Sequence, residues 1–554
     1  MAAADGEPGA DAPAPPPRSG TAAFLVGLGI FLSRVVGLVR ERVLATYFGT
    51  GLHADVFSAG LRLPNVLQNL LGEGTLSASF IPAYSALLGQ GRTQEAGRVA
   101  GAAFALLLAV AGAISLLGVL FAPVIVSVFT PGFTGQRREL LIAVVRIVFP
   151  MTGVLVLSAW ALGILNSHRK FFLPYFAPVL WNAAIIATLV AFGSRLDLDA
   201  LVVAAAWGAL AGGLLQFAVQ LPAVWRLDRQ IRLGTGRREP AFVDAVRKAG
   251  PAILGRGVVQ LSGYLDLVLA SVLAVGAVAR LRYAQTLYLL PISLFAMSVA
   301  AAALPELARE HAAAAGALRE RTAAAVRRVA FFIVPSFVAF VSIGDVLVAG
   351  LYRAGEFGDA DVRIVWLILA GYSLGLLAST AARVYQSAFY ALRDTAAPAR
   401  IALVRVLVAL VAGAVLMVQF EPVTLLGVTV PAGALASFDA LGLPLGPLGL
   451  ALGASLGGWV EWALLKRALA VRLGSVPLRG LPTGVGAGAA PLARMFAAAF
   501  AAAAAAVAAS RGLAKFPALL EAAVVAGVFG SVYFAVAAAL GLEQARALFR
   551  RLRP

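Results

Sequence analysis

Apolar stretches of about 20 residues recur along nearly the whole chain, separated by short polar breaks. They fall near 21–48, 57–89, 99–129, 140–166, 174–194, 199–225, 242–275, 281–308, 325–352, 363–391, 400–419, 444–468, 491–510 and 517–541. Each is long enough to cross about 30 Å of hydrocarbon as an α-helix. The alternation over about 10 residues that marks a membrane barrel strand is absent. The pattern predicts an all-α polytopic membrane protein with about 14 transmembrane helices. The division between the fifth and sixth runs, at Gly193-Ser194-Arg195-Leu196-Asp197, is the least marked. Residues 1–19 carry Ala, Pro and Gly without an apolar run or a basic signal-peptide start, and read as a disordered tail.

An even number of spans puts both termini on one side, and the basic residues choose the side. With the termini inside, the cytoplasmic loops and the C-terminal tail (546–554) hold about 26 Lys and Arg. The opposite loops hold about nine, among them Arg137, Arg138, Arg280 and Arg282. The net charge of +18 is then mostly topology, which argues against a nucleic-acid partner.

Composition agrees with a bilayer solvent: 61% of the 554 residues are hydrophobic, 13% are charged, and mean hydropathy is +0.89. There is no cysteine, and His53, His168 and His311 lack ligand spacing, so no metal site is expected. No lysine follows a phosphate-loop glycine pattern, and no nucleophile–base constellation appears; an enzyme is not expected.

A weak internal repeat divides the chain. Ser33-Arg34-Val35-Val36-Gly37-Leu38 opens the first half, and Gly255-Arg256-Gly257-Val258-Val259-Gln260-Leu261 opens the seventh run. Both following runs carry an early Leu-Pro, at Leu63-Pro64 and Leu290-Pro291. The expected organisation is an N-lobe of helices 1–6 (20–228) and a C-lobe of helices 7–12 (229–480). Helices 13–14 (481–545) follow. The lobes would be two parallel six-helix bundles with a site between them; chance likeness between apolar helices is the alternative.

Charges inside apolar runs are expensive and mark function or pairing. At 100° per residue Arg34, Gly37, Arg40 and Glu41 fall within an arc of roughly 120°, with Ser33 beside Arg40. This face suits the wall of a wet cavity; an Arg34–Glu41 ion pair between helices is the competing reading. Asp55 would then pair with Arg40 or act as an outer gate. Arg256, Gln260, Gly263 and Asp266 share one face of the seventh run, with Asp266 either a buried carboxylate or a cation contact. Arg383 and Arg405 are further lining candidates. Arginines converging from both halves imply an anionic substrate, because guanidinium forks match phosphate oxygens.

Ser33-Arg34-Val35-Val36-Gly37-Leu38-Val39-Arg40-Glu41 resembles the opening motif of the MurJ (MviN) lipid II flippases of the MOP transporter superfamily. The resemblance continues through Tyr47-Phe48-Gly49, Ala54-Asp55-Val56-Phe57, Leu63-Pro64-Asn65, Gly72-Glu73-Gly74 and Phe80-Ile81-Pro82. Later matches include Phe176-Ala177-Pro178 with Asn182, Gly250-Pro251-Ala252-Ile253-Leu254, Tyr283-Ala284-Gln285 and Phe389-Tyr390-Ala391-Leu392-Arg393-Asp394-Thr395. It implies alternating access that moves undecaprenyl-pyrophosphate-linked peptidoglycan precursor outward across the cytoplasmic (inner) membrane. It also implies a lipid-tail groove at helices 13–14 and cell-wall synthesis machinery as a neighbour. Carried over by position, Arg34 and Arg40 match cavity arginines, Asp55 an acidic residue near the outer gate and Glu73 a glutamate in helix two. Ser33, beside Arg40, and Glu73 are counted with the substrate-binding residues. Asp266 and Asp394, near the family's sodium-site helices, are ion-coupling candidates. No cofactor is implied beyond sodium or the membrane potential.

Two departures stand out. Arginines that family members often carry are here Gln68, Asn69 and Thr286, and Arg256 is the expected replacement. Export of another lipid-linked oligosaccharide, drug export and a non-transporting scaffold stay open at this level.

Overall fold

The computed structural model describes residues 19–72, 76, 79–232, 236–293, 315–392, 394–425, 428–434, 443–472, 489–513 and 515–546. Glu73 lies outside the described residues, as does the side chain of Arg256. Nine helices among the described residues are long and apolar enough to cross a membrane. A tenth results if the bent pair Asp359–Ser373 and Leu376–Ala391 counts as one span. The described parts of the remaining predicted runs, the first, second, seventh and eighth, also hold helices. This is a multi-pass membrane protein.

The first half begins with α1 (Ser19–Phe48). The second predicted run is not one helix but α2 (Leu52–Arg62), α3 (Asn65–Leu71) and α4 (Phe80–Gly89). Pro64 has no N–H to give and ends α2. The carbonyls freed at Arg62 and Leu63 accept from the Tyr264 hydroxyl at 3.1 and 3.2 Å. A broken helix at membrane depth survives only where a neighbour satisfies its backbone in this way. Then follow α5 (Thr93–Leu120), α6 (Ala122–Phe129), α7 (Gly135–Ser167), α8 (Phe172–Phe192), α9 (Leu198–Ala218) and α10 (Leu221–Leu227). Asp197 resolves the doubtful fifth division: its side chain accepts from Ala200 N at 2.7 Å and caps α9. α1 packs along α8, α8 along α9, and α7 against α2, α5 and α9.

The second half holds α11 (Pro240–Ser271), α12 (Ala277–Pro291), α13 (Ala315–Ser342), α14 (Gly344–Tyr352), α15 (Asp359–Ser373), α16 (Leu376–Ala391), α17 (Ala396–Phe420) and α18 (Gly446–Arg472). α15 and α16 bend by 41° at Leu374-Gly375, where the Gly375 N–H donates to Ser455 Oγ at 3.0 Å. A hairpin that periodicity did not predict, β1 (Val423–Leu425) and β2 (Val428–Val430), follows α17 with Val423 opposite Val430. The closest helix pair is α17 with α18. Gly449, Gly453 and Gly457 form a stripe there, and a Cβ on Gly449 or Gly453 would overlap the backbone of Met417 or Gly413. Small residues let membrane helices approach in this way. α19 (Ala489–Leu513) and α20 (Ala518–Ala539) pair with each other and cover α13 and α14.

One apolar core runs through both halves, joining Phe57, Val144 and Val148 to Leu267, Tyr283 and Tyr352. Leu116, Leu120, Val124, Val411 and Val415 are exposed instead, as side chains facing acyl chains should be.

Candidate functional site

A cavity of about 530 Å³ lies between the halves. α1 supplies Ser33, Gly37 and Arg40, and α2 supplies Ser58, Leu61 and Arg62. Opposite them, α12 supplies Arg282 and Gln285, with Asn182 and Gln216 completing a polar wall. Three arginines therefore face one volume, which agrees with the expected anionic ligand.

The cations are held in place. Arg40 stacks over Trp181 with its guanidinium carbon 4.8 Å from the ring centre, and its Nη2 reaches Glu41 Oε1. Arg282, from the other half, donates to the same Glu41 oxygen at 2.7 Å and to Ser58 Oγ at 3.2 Å. One buried carboxylate thus pairs with two arginines, leaving the Arg40–Glu41–Arg282 group with net positive charge. Arg62 lies against Gly263 of α11, 3.3 Å from where a Cβ would stand.

The end where α1 turns into α2 is bridged across the halves. Asp55, fully buried, pairs with Arg137 and accepts from the backbone N–H of Gly276 at 2.7 Å and Ala279 at 2.8 Å. Those N–H groups open α12, where no intrahelical acceptor exists for them. Thr50 donates to Asp361 Oδ1 at 2.5 Å, Arg42 to Gly350 O at 2.7 Å, and Tyr283 to Gly49 O at 3.1 Å.

The sequence expectations fare unevenly against this geometry. Ser33 and Arg40 line the cavity. Arg34 does not: it is exposed and makes no hydrogen bond or ion pair among the described residues. It lies about 120° around α1 from Arg40, which takes it off the lined face. The Arg34–Glu41 pair is not formed. Nor does Asp55 meet Arg40; its partner is Arg137, which sequence had placed with the loop cations. Asp266 makes no hydrogen bond among the described residues, and Arg62 and Arg405 are the charges acting on it. Asp394 is engaged elsewhere: it accepts from Ala396 N and Ala397 N at 3.1 Å and pairs with Arg472 at 2.5 Å. Arg405 donates to buried Glu461 at 3.1 Å and Gln386 donates to the same carboxylate at 2.9 Å, so Glu461 ties α16, α17 and α18.

Sequence reasoning missed Arg62 and misplaced Arg282. Arg280 and Arg282 had been counted with a loop, yet both are helical and within the protein. The helical period gives the clue: Arg282 stands one turn before Thr286, whose hydroxyl donates to the Arg282 carbonyl at 3.0 Å. Arg62 ends α2 and Gln68 stands in α3, and both line the cavity.

A family model described as lipid II flippase MurJ matches residues 44–521. The chain is 33% identical over 380 residues to the lipid II flippase MurJ of Burkholderia cenocepacia, covering 67% of this chain and 73% of that one. It is 32% identical over 391 residues to a probable lipid II flippase MurJ of Rhizobium tropici, covering 68% and 71%. Among solved structures it resembles a lipid II flippase MurJ in an inward closed conformation, with TM-score 0.68 at 22% identity over 92% of this chain and 99% of that one. An inward-facing multidrug resistance MATE family transporter of the MOP superfamily gives 0.61 at 16% identity over 82% and 98%. The structural likenesses speak for the fold; the sequence matches speak for more. A transporter fold, a cationic cavity between its halves and a match along most of its length agree: the chain belongs to the MurJ lipid II flippase family.

Proposed function

We propose that this protein flips lipid II, carrying its pyrophosphate-linked headgroup from the cytoplasmic to the outer leaflet of the cell inner membrane. The observation that carries the reading is the convergence of Arg40, Arg62 and Arg282 on one cavity between the halves. A diphosphate offers several oxygens to guanidinium forks, and Asn182, Gln216 and Gln285 offer hydrogen bonds suited to sugar or peptide groups. A cation exporter would need free carboxylates there, and Glu41, which pairs with this wall's cations, is taken by two arginines.

Both termini are cytoplasmic in this reading, so the Asp55 end is the outer one and is closed in this structure. Rocking of the two halves about the cavity would open that end after the headgroup loads. Arg62 and Arg282 take the place of the arginines absent at 68, 69 and 286. Asp266, facing Arg62 and Arg405, is the candidate for coupling to an ion or to the membrane potential. Asp394, capping α17, has a helix-end role instead.

The test uses proteoliposomes holding the full chain and lipid II with a quenchable fluorophore on its headgroup. A protein-dependent rise in the fraction reaching the opposite leaflet supports the proposal. No rise, with a different lipid-linked oligosaccharide moved instead, refutes lipid II as cargo.

A further inference from the structure

Away from the central cavity, a second polar pocket of about 300 Å³ lies where α5 begins and α10 ends. It is lined by Gln94 and Arg98 from α5 and by Arg229, Gln230 and Arg232 from the segment after α10. Three guanidinium groups face so small a volume, which makes it a cationic site even with Glu239 paired to Arg98. The central transport site uses none of these residues.

The pocket is built rather than incidental. Asp228, buried, accepts from Gln230 N at 3.1 Å and from the Tyr84 hydroxyl at 2.9 Å. Tyr84 in turn lies 2.9 Å from His168 Nε2. Since the one Tyr84 proton goes to Asp228, His168 donates to Tyr84 through Nε2–H. The segment also lies directly on α5: a Cβ on Gly97 or Gly101 would overlap the backbone of Gln230 or Arg232. Arg98 is aimed by Glu239, which accepts from its Nε at 2.8 Å, so its terminal nitrogens are left for another acceptor. Arg229 is exposed and makes no hydrogen bond or ion pair among the described residues.

Depth identifies the ligand. Trp225, four residues before Arg229, is 59% exposed at the end of the span Leu198–Leu227. An exposed tryptophan at a span end marks the level of lipid headgroups. A cationic pocket at that level meets lipid phosphates. We propose that this pocket binds the phosphate of an anionic phospholipid headgroup in the leaflet facing the termini. The bound lipid would pin the segment joining the two halves. The leaflet assignment rests on the orientation proposed above; the phosphate site itself does not.

The experiment uses the full chain purified in detergent and titrated with short-chain phosphatidylglycerol, short-chain phosphatidylcholine and inorganic phosphate. Binding is read by native mass spectrometry and thermal stability. The expected result is saturable binding of phosphatidylglycerol that weakens at least about fivefold in R229Q/R232Q, with phosphatidylcholine much weaker throughout. R98Q, tested separately, should weaken it as well. A folded double variant that binds phosphatidylglycerol like the parent overturns the proposal. So does inorganic phosphate competing at equal affinity, which would make the site one for a free anion. Neither readout involves flipping, so failure of the lipid II reading would leave this result standing. Labelling of Arg229→Cys by an impermeant thiol reagent in sealed vesicles reports the leaflet independently.

Discussion

Arg282 joins a cavity cation to a carboxylate of the other half, so its removal acts twice. Arg282→Ala leaves Glu41 with one partner and the cavity with two arginines. Flipping of labelled lipid II should fall at least roughly tenfold, about 1.4 kcal/mol, at matched protein levels. Arg40→Ala should match it, whereas exposed Arg34→Ala should cost less than about threefold. Equal losses at Arg34 and Arg40 would show that the exposed arginine also meets the substrate. His168 gives a pH signature at the opposite end. Burial pushes its imidazole below the usual value, so the folded form holds it neutral. Stability from this group is present above about pH 6.5 and is lost as pH falls below it. Melting should drop between pH 7.5 and 5, and less so in His168→Gln, whose amide donates without titrating. Ser33 and Arg40 were legible from a 100° helical period because their own helix fixes their direction. Arg62 and Arg282 were not, since their meaning comes from Gly263 and Glu41, about 200 or more residues away in sequence.

Hydropathy located the helices, but several breaks inside them needed tertiary partners to become visible. The second run reads as one apolar segment, yet it is divided at Leu63-Pro64, where the Tyr264 hydroxyl of a distant helix donates to the carbonyls of Arg62 and Leu63. The bend between α15 and α16 depends similarly on Ser455. The hairpin after α17 carried no apolar period to betray it. By contrast, the α17–α18 interface follows from spacing: glycines at 449, 453 and 457 repeat every four residues on one helix face. Gly453→Val would drive a side chain into the Gly413 backbone. The expected cost is about 1–3 kcal/mol, seen as lower melting temperature and lower yield from membranes. Gly527→Val in α20, where a Cβ meets nothing within 4 Å, is the matched control and should leave both unchanged.

At the scale of the molecule, the halves touch through different chemistry at different heights, apolar packing in the middle and polar bridges at the Asp55 end. The chain has no cysteine, so a pair introduced there works without background. Thr50→Cys with Asp361→Cys replaces a hydrogen-bonded pair from opposite halves. Oxidation, or a short thiol crosslinker, should hold that end shut and stop flipping, and reduction should restore it; continued flipping with full crosslinking would exclude rocking about the cavity. The Asp55 bridge has an asymmetry that makes the gate readable in time. Asp55 and Arg137 belong to the same half, so their pair travels intact when the end opens. What separates is the carboxylate from the amides of Gly276 and Ala279, whose acceptors among the described residues are its two oxygens. Water can take over both amides at once, and their hydrogens then exchange for deuterium. Gly276 and Ala279 therefore report the gate: their exchange rates follow the population of the open end, and substrate or voltage that shifts the gate towards open should speed them.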